Sequence, residues 1–348
     1  MEIRTDPLTG RPAGEPHRLI QWADAMQRGA LGHASVSADG RRLVLLRTVG
    51  ETNFLVADLR DGGKRLDNTR RLSLGASEYA HAWTPDGQAV VFEIKTAMGF
   101  YNIFKQGLKQ QPAEPLVTGN DDVGAGRYSP DGKWLFYLLR KHPEVRLMRI
   151  PASGGLPELV LSGTNVANYY CARLPANFCV VGENEQKQLV FYRFDPTQEP
   201  PADGIPPSRL KEVARTDYDP TDWGLSPDGR SIAMVRPDDR DGRVHIISLG
   251  SPAHRGDVKT RDVIVNGWAS LYDLNWAADG KGWYITNRFA TDRCAGCSFL
   301  YVDLGGRATL LQTPESSNPL WGVSSPDGRH LALVNGTQAG NAWLVENF

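Results

Sequence analysis

The sequence predicts an all-β fold, a seven-bladed β-propeller of four-stranded antiparallel blades. Three observations predict it: a turn motif recurring at near-constant spacing, short apolar runs on both sides of every copy, and a last copy that ends one strand short. The motif reads Ser37-Ala-Asp-Gly40, Thr84-Pro-Asp-Gly87, Ser129-Pro-Asp-Gly132, Ser226-Pro-Asp-Gly229, Ala277-Ala-Asp-Gly280 and Ser325-Pro-Asp-Gly328. Its aspartates are 47, 45, 97, 51 and 48 residues apart, and 97 is two periods. An eroded copy is therefore expected near residue 176, where Cys171-Ala-Arg-Leu-Pro-Ala-Asn-Phe-Cys-Val-Val181 keeps the strand-turn-strand rhythm.

Each turn closes a hairpin for a physical reason. Proline presets its own φ, aspartate bonds nearby amides, and glycine accepts a positive φ. The strand after each turn is apolar: Arg42–Leu46, Ala89–Phe92, Trp134–Leu138, Ser231–Val235, Gly282–Ile285 and His330–Val334. Third strands are expected at Asn53–Val56, Tyr101–Phe104, Arg146–Ile150, Gln188–Tyr192, Arg243–Ile247, Phe299–Val302 and Asn341–Val345. Fourth strands are expected at Arg71–Leu74, Glu114–Val117, Glu158–Leu161, Lys211–Ala214, Asp262–Val265 and Ala308–Leu311. The seventh copy reaches Phe348 without one, so Pro16–Trp22 is expected to close the ring and remove an exposed edge. Residues 1–15 then form an extension or connector, and residues 16–348 a single propeller domain. These runs are too short for a helical solenoid, and turn chemistry recurs where helices would need continuity.

Composition narrows the functional classes. With 39 Lys+Arg against 40 Asp+Glu, the chain has no electrostatic drive toward a phosphate backbone, so no nucleic-acid partner is expected. The sequence holds no apolar run of the roughly 18 residues that span a bilayer, and its start lacks a signal-peptide layout. No membrane contact of its own is expected, and the domain is expected to be a monomer. Gly-x-Ser-x-Gly is absent; Gly224-Leu-Ser-Pro-Asp228 and Gly322-Val-Ser-Ser-Pro326 are near misses at blade turns. There is no Walker loop and no Gly-x-Gly-x-x-Gly, so neither cofactor nor catalytic residue is expected. The repeated aspartates read as turn formers around the rim rather than metal ligands.

Four cysteines remain as disulfide candidates. Cys171 and Cys179 lie on the two arms of the eroded hairpin, in reach of a cross-strand bridge. Cys294-Ala-Gly-Cys297 sits in a long loop, outside the helix N-terminus that a redox Cys-x-x-Cys requires. Two bridges would fit an oxidising compartment, free thiols the cytosol.

A binding surface is expected on the face opposite the Asp-Gly turns. There the loops entering the inner strands gather Glu78, Tyr79, His81, Asp121, Asp122, Tyr169, Tyr170, Asp217, Tyr218, Asp219, Trp268 and Tyr272 near the channel mouth. Acids and aromatics so placed suit a protein or peptide partner, an amine or a basic segment. The competing reading is structural, since aromatic residues at strand starts pack between blades.

The repeated Ser/Thr-Pro-Asp-Gly turns resemble the PD40, TolB-like propeller repeat over residues 16–348. Asp6–Pro16, Ile103–Gln106, Glu114–Val117, Val145–Arg149, Trp276–Lys281, Ser324–Ala332 and Trp343–Phe348 are similar to the C-terminal sensor propeller of bacterial membrane-anchored Ser/Thr protein kinases or winged-helix regulators. That resemblance implies a non-catalytic binding or sensor module, extracytoplasmic if this is the sensor end of such a receptor and otherwise cytoplasmic. It carries over no kinase or DNA-binding residue. Two alternatives stay open: a propeller hydrolase or lyase using Asp121, Asp122 and Asp219, or the accessory propeller of a prolyl-oligopeptidase-type peptidase lacking its catalytic domain.

Overall fold

The computed structural model describes residues 6, 9, 11–15, 29–72, 77–96, 98–109, 112–250, 259–287, 297–313 and 321–346. Apart from the 3-10 turns at Asp61–Gly63 and Pro207–Arg209, the regular structure of these residues is β. All seven hairpins read from the sequence are present.

The turn motif folds on itself. In the copy at 129–132 the Gly132 N–H donates to the Ser129 carbonyl at 2.9 Å, and the Ser129 hydroxyl donates to Asp131 Oδ1 at 2.6 Å. The Lys133 N–H donates to that same oxygen at 3.2 Å. Gly132 takes φ 71°, where a Cβ would be strained. The aspartates are thus spent on local backbone and hydroxyl bonds, and among the described residues no cluster of metal-ligating side chains forms.

The strands run in chain order through successive sheets. The first hairpin joins β1 (Gly29–Val36) to β2 (Arg42–Arg60), and β3 (Arg65–Arg71) pairs with β2. Sheet I is β4 (Ser77–Trp83), β5 (Ala89–Lys95), β6 (Tyr101–Gly107) and β7 (Glu114–Val117). Sheet II is β8 (Asp122–Tyr128), β9 (Trp134–Lys141), β10 (Glu144–Pro151) and β11 (Glu158–Gly163). Sheet III is β12 (Val166–Cys171), β13 (Cys179–Glu185), β14 (Gln188–Phe194) and β15 (Lys211–Thr216). Sheet IV is β16 (Asp222–Leu225), β17 (Ser231–Val235), β18 (Arg243–Ser248) and β19 (Lys259–Ile264). Sheet V is β20 (Leu271–Trp276), β21 (Gly282–Asn287), β22 (Ser298–Asp303) and β23 (Ala308–Gln312). Sheet VI combines both chain ends: β24 (Trp321–Ser324) pairs with β25 (His330–Glu346), and β25 pairs with β2.

Among the described residues the seven repeats enter six hydrogen-bonded sheets. Sheets I to V each take one repeat, while the first and last repeats share sheet VI. The expected second and third strands of the first repeat are one 19-residue strand, and those of the last are one 17-residue strand. The first linker, Arg47–Thr52, holds no proline and no Asn-Gly or Asp-Gly pair, so no turn chemistry competes there with continued pairing, whereas β25 runs on through the turn dipeptide Asn335-Gly336. The outer strand after the first repeat is Arg65–Arg71, and residues 73 and 74 of the expected Arg71–Leu74 lie outside the described residues. The expected closing segment, Pro16–Trp22, lies outside the described residues.

The chain divides into two compact units, residues 1–51 with 338–348, and residues 52–337. In the first, the β1–β2 hairpin buries Leu43 and Leu45, and Arg42 Nε lies 3.3 Å from Glu346 Oε1. The second is a ring. The Leu59 N–H donates to the Arg329 carbonyl at 2.7 Å, and His330 Nδ1 lies 3.0 Å from Asp58 Oδ1, joining β2 to the start of β25. Among the described residues six apolar clusters fill the joints between neighbouring sheets. One example is Val91 and Ile103 of sheet I against Leu135 and Tyr137 of sheet II; another, Phe54 and Ala332 of sheet VI against Phe92 of sheet I, completes the circle. Inner-strand tryptophans stitch the joints as well. Trp83 Nε1 donates to the Val323 carbonyl, and Trp276 Nε1 to the Gly224 carbonyl, each at 2.9 Å. Trp83 and Trp276 thus serve packing first, each with a partner for its N–H.

Candidate functional site in the axial channel

The inner strand of each sheet in the ring ends at a turn, and the residue two places before that turn faces the axis. In order these are Ala82, Arg127, Tyr170, Gly224, Asn275 and Val323, and all six line one cavity of about 360 Å³. The cavity lies in the half of the channel nearer the turns, with Pro85, Pro130, Pro227 and Pro326 at its outer rim. Its size is at the lower end of the ~300–1,000 Å³ typical of ligand pockets.

The eroded repeat shapes this space. Its turn is one residue longer than the others: the Ala172 N–H reaches the Phe178 carbonyl, where the Ser129 N–H reaches that of Trp134. The longer turn carries Arg173 across the channel, and Arg173 Nη1 donates to the carbonyls of Ala278 at 3.1 Å and Pro326 at 2.9 Å. These lie on the turns of sheets V and VI. Cys171 and Cys179 are directly opposed at the base of this hairpin and form a disulfide, with Cα atoms 3.9 Å apart. Cys297 is also disulfide-bonded, and Cys294 lies outside the described residues.

Arg127 is buried. Its guanidinium carbon sits 4.2 Å from the ring centre of Tyr170 and 5.2 Å from that of Tyr169, and Nη1 donates to Asn168 Oδ1 at 3.1 Å. Beside it, His81 Nε2 lies 2.6 Å from Glu93 Oε1, which also accepts the Ala125 N–H at 2.5 Å. Burial works to raise the Glu93 carboxyl, but His81, the Ala125 N–H and Arg140 together hold it below the usual glutamate range. Asp222 behaves oppositely. Burial pushes it up to about 7, against the lowering effect of the Leu274 and Trp223 N–H groups and of Arg127.

Among the residues expected from the sequence, His81 and Tyr170 reach the cavity. For Glu78 and Tyr79 only the backbone within β4 is described. Asp121 is exposed and lies 3.3 Å from Lys141 Nζ, while Asp122 accepts the Tyr101 N–H at 3.2 Å. Tyr169 is wholly buried, with its hydroxyl donating to the Ala125 carbonyl at 2.6 Å. Asp217 and Asp219 are exposed, and Trp268 and Tyr272 half-buried. Tyr218 donates to Asp239 Oδ2 at 2.6 Å and stacks on His245. The expected face is thus dispersed, whereas the cavity recruits Arg127, Arg173 and Asn275, which sequence reasoning did not single out. A signal for Arg127 existed: among the six axis-facing positions it is the one charged residue.

Solved structures with this arrangement are propellers. The putative TolB from Agrobacterium tumefaciens superposes with a TM-score of 0.56 and 15% identity, covering 82% of this chain and 98% of that one. The fold is a TolB-like β-propeller. TolB from Acinetobacter baumannii gives a TM-score of 0.54 and 12% identity over 82% of this chain and 79% of that one. A chain from a nidogen–laminin complex gives 0.50 and 12%, over 83% and 98%. No protein-family model matches the chain, and no curated protein matches it. At these identities the likeness of the TolB-like propellers is one of fold, and function has to be argued from the site.

Proposed function

We propose that this TolB-like propeller is a non-catalytic binding module that takes a peptide segment or small ligand into its axial channel, as the extracytoplasmic sensor of a bacterial signalling receptor. The observation that carries the reading is the axial cavity, to which every inner strand of the ring contributes and which combines polar groups with tryptophan, leucine and proline walls. The Cys171–Cys179 bridge supports an oxidising compartment. An enzymatic reading through Asp121, Asp122 and Asp219 finds less support. The first faces a lysine, the second accepts a backbone N–H and the third is exposed.

The test uses two tryptophans of the cavity wall, Trp83 and Trp276, as reporters. The full chain is screened against peptide and metabolite collections by thermal shift and intrinsic fluorescence. A true ligand raises the melting temperature by mass action and changes the emission. Ala82→Phe, which fills the cavity from a half-buried position, is expected to abolish both effects while the fold survives. Binding undiminished in this variant, or conversion of the ligand to a product, would overturn the proposal.

A further inference from the structure

We propose that the axial cavity is a carboxylate-binding site in which Arg127 and Arg173 hold the anion. The inference rests on the reading that this cavity takes a ligand, and adds the ligand's chemistry.

Its basis is a charge imbalance. Both arginines line the cavity, yet among the described residues neither has an Asp or Glu oxygen within 4.0 Å. Arg127 is met by Asn168 Oδ1, the Ala125 carbonyl and two tyrosine faces. Arg173 is met by the two carbonyls across the channel, and burial lowers its pKa. A buried guanidinium is ordinarily neutralised by a carboxylate, because an unpaired charge in the interior is costly. This protein follows that rule elsewhere: Arg149, equally buried, lies 2.8 Å from Glu158. Here two cations, Arg127 buried and Arg173 half-buried, border one cavity whose lining includes no Asp or Glu. The nearby carboxylates are engaged elsewhere. Asp222 accepts the Leu274 N–H at 2.8 Å, and Asp327 accepts the Ser325 hydroxyl and the Arg329 N–H. Glu93 is taken by His81.

The surroundings select the anion. Trp83, Trp276, Leu174 and Leu225 give the cavity apolar walls, which suit a monoanionic carboxylate on a hydrocarbon body better than a phosphate dianion with its larger desolvation cost. Each guanidinium has Nη1 committed to protein oxygens and keeps other N–H donors for a carboxylate.

The test titrates the full chain by calorimetry with four probes: an acetyl-capped apolar tripeptide with a free C-terminal carboxylate, its C-terminal amide, butyrate and inorganic phosphate. Expected is binding of the acid peptide about 10- to 100-fold tighter than the amide, the span of a charge-assisted pair. Phosphate is expected to bind more weakly. Butyrate binding as well as the acid peptide would assign a free small acid as the source; butyrate binding more weakly would assign a peptide end. Both outcomes support the carboxylate site. Arg173→Gln and the charge-preserving Arg127→Lys separate charge from folding: with melting temperatures near the parent's, the first is expected to lose the acid-over-amide preference and the second to keep most of it. Equal affinity for acid and amide would overturn the carboxylate inference while leaving the channel-binding reading intact. Phosphate binding tightest would overturn it in favour of another anion. No binding of any probe, in a chain that also yields no ligand in the thermal-shift screen, would remove both readings.

Discussion

Asp222 shows how the channel couples charge to stability. Its carboxyl is raised to about 7 because burial outweighs the N–H groups and the arginine that favour the anion. Between roughly pH 4 and pH 7 the folded chain therefore keeps a proton that the unfolded chain has released. That contribution is complete below the unfolded value near 4 and is lost as the pH rises through 7. Asp222→Asn keeps an oxygen for the Leu274 N–H and removes the titration. The variant is expected to match the parent at pH 4 and to exceed it by about 1–3 kcal/mol at pH 8. Thermal melts of both chains across that range would show the gap opening, and a gap independent of pH would mean that Asp222 does not titrate as described.

At the scale of the element, the hairpins separate what a sequence displays from what it conceals. The Ser/Thr-Pro-Asp-Gly turns were readable because everything that shapes them is local: a hydroxyl, a carboxylate and a glycine within four residues bond one another. Strands β2 and β25 were misread as pairs of shorter strands because their length depends on a partner strand some 270 residues away, which no local signal reports. The eroded turn shows both limits. Its position followed from the repeat arithmetic and its cysteine pair from the hairpin register, but the reach of Arg173 to Ala278 and Pro326 needs the ring itself. That hairpin also supports a stability prediction. The disulfide closes a loop with a sequence separation of 8, which the chain-entropy model values at about 2–3 kcal/mol. Replacing both cysteines by alanine is expected to lower denaturant stability by that amount and, by loosening the turn that carries Arg173, to weaken the acid-over-amide preference. An unchanged preference would show that the turn holds Arg173 without the bridge.

For the whole molecule, the decisive relation is between repeats and sheets. The segment expected to close the ring lies outside the described residues; within residues 52–337 the described strands of sheet VI are β24, the start of β25, the end of β2, and β3. Two come from each end of that stretch, so strand pairing and apolar clusters on both flanks of sheet VI fasten the described ring. In a repeat architecture each unit is stabilised by its neighbours, and a ring in which every joint is filled lacks a weak terminal unit. A chain of residues 52–337 is therefore expected to fold and melt in one cooperative transition, to bury the cavity tryptophans as the full chain does, and to bind the same ligand with the same affinity. The measurements are circular dichroism melts, tryptophan emission and calorimetry on both chains. If the shorter chain aggregates, or melts in two steps with the affinity lost, then residues 1–51 and 338–348 contribute to the closure, and the joints of sheet VI do not hold the ring unaided.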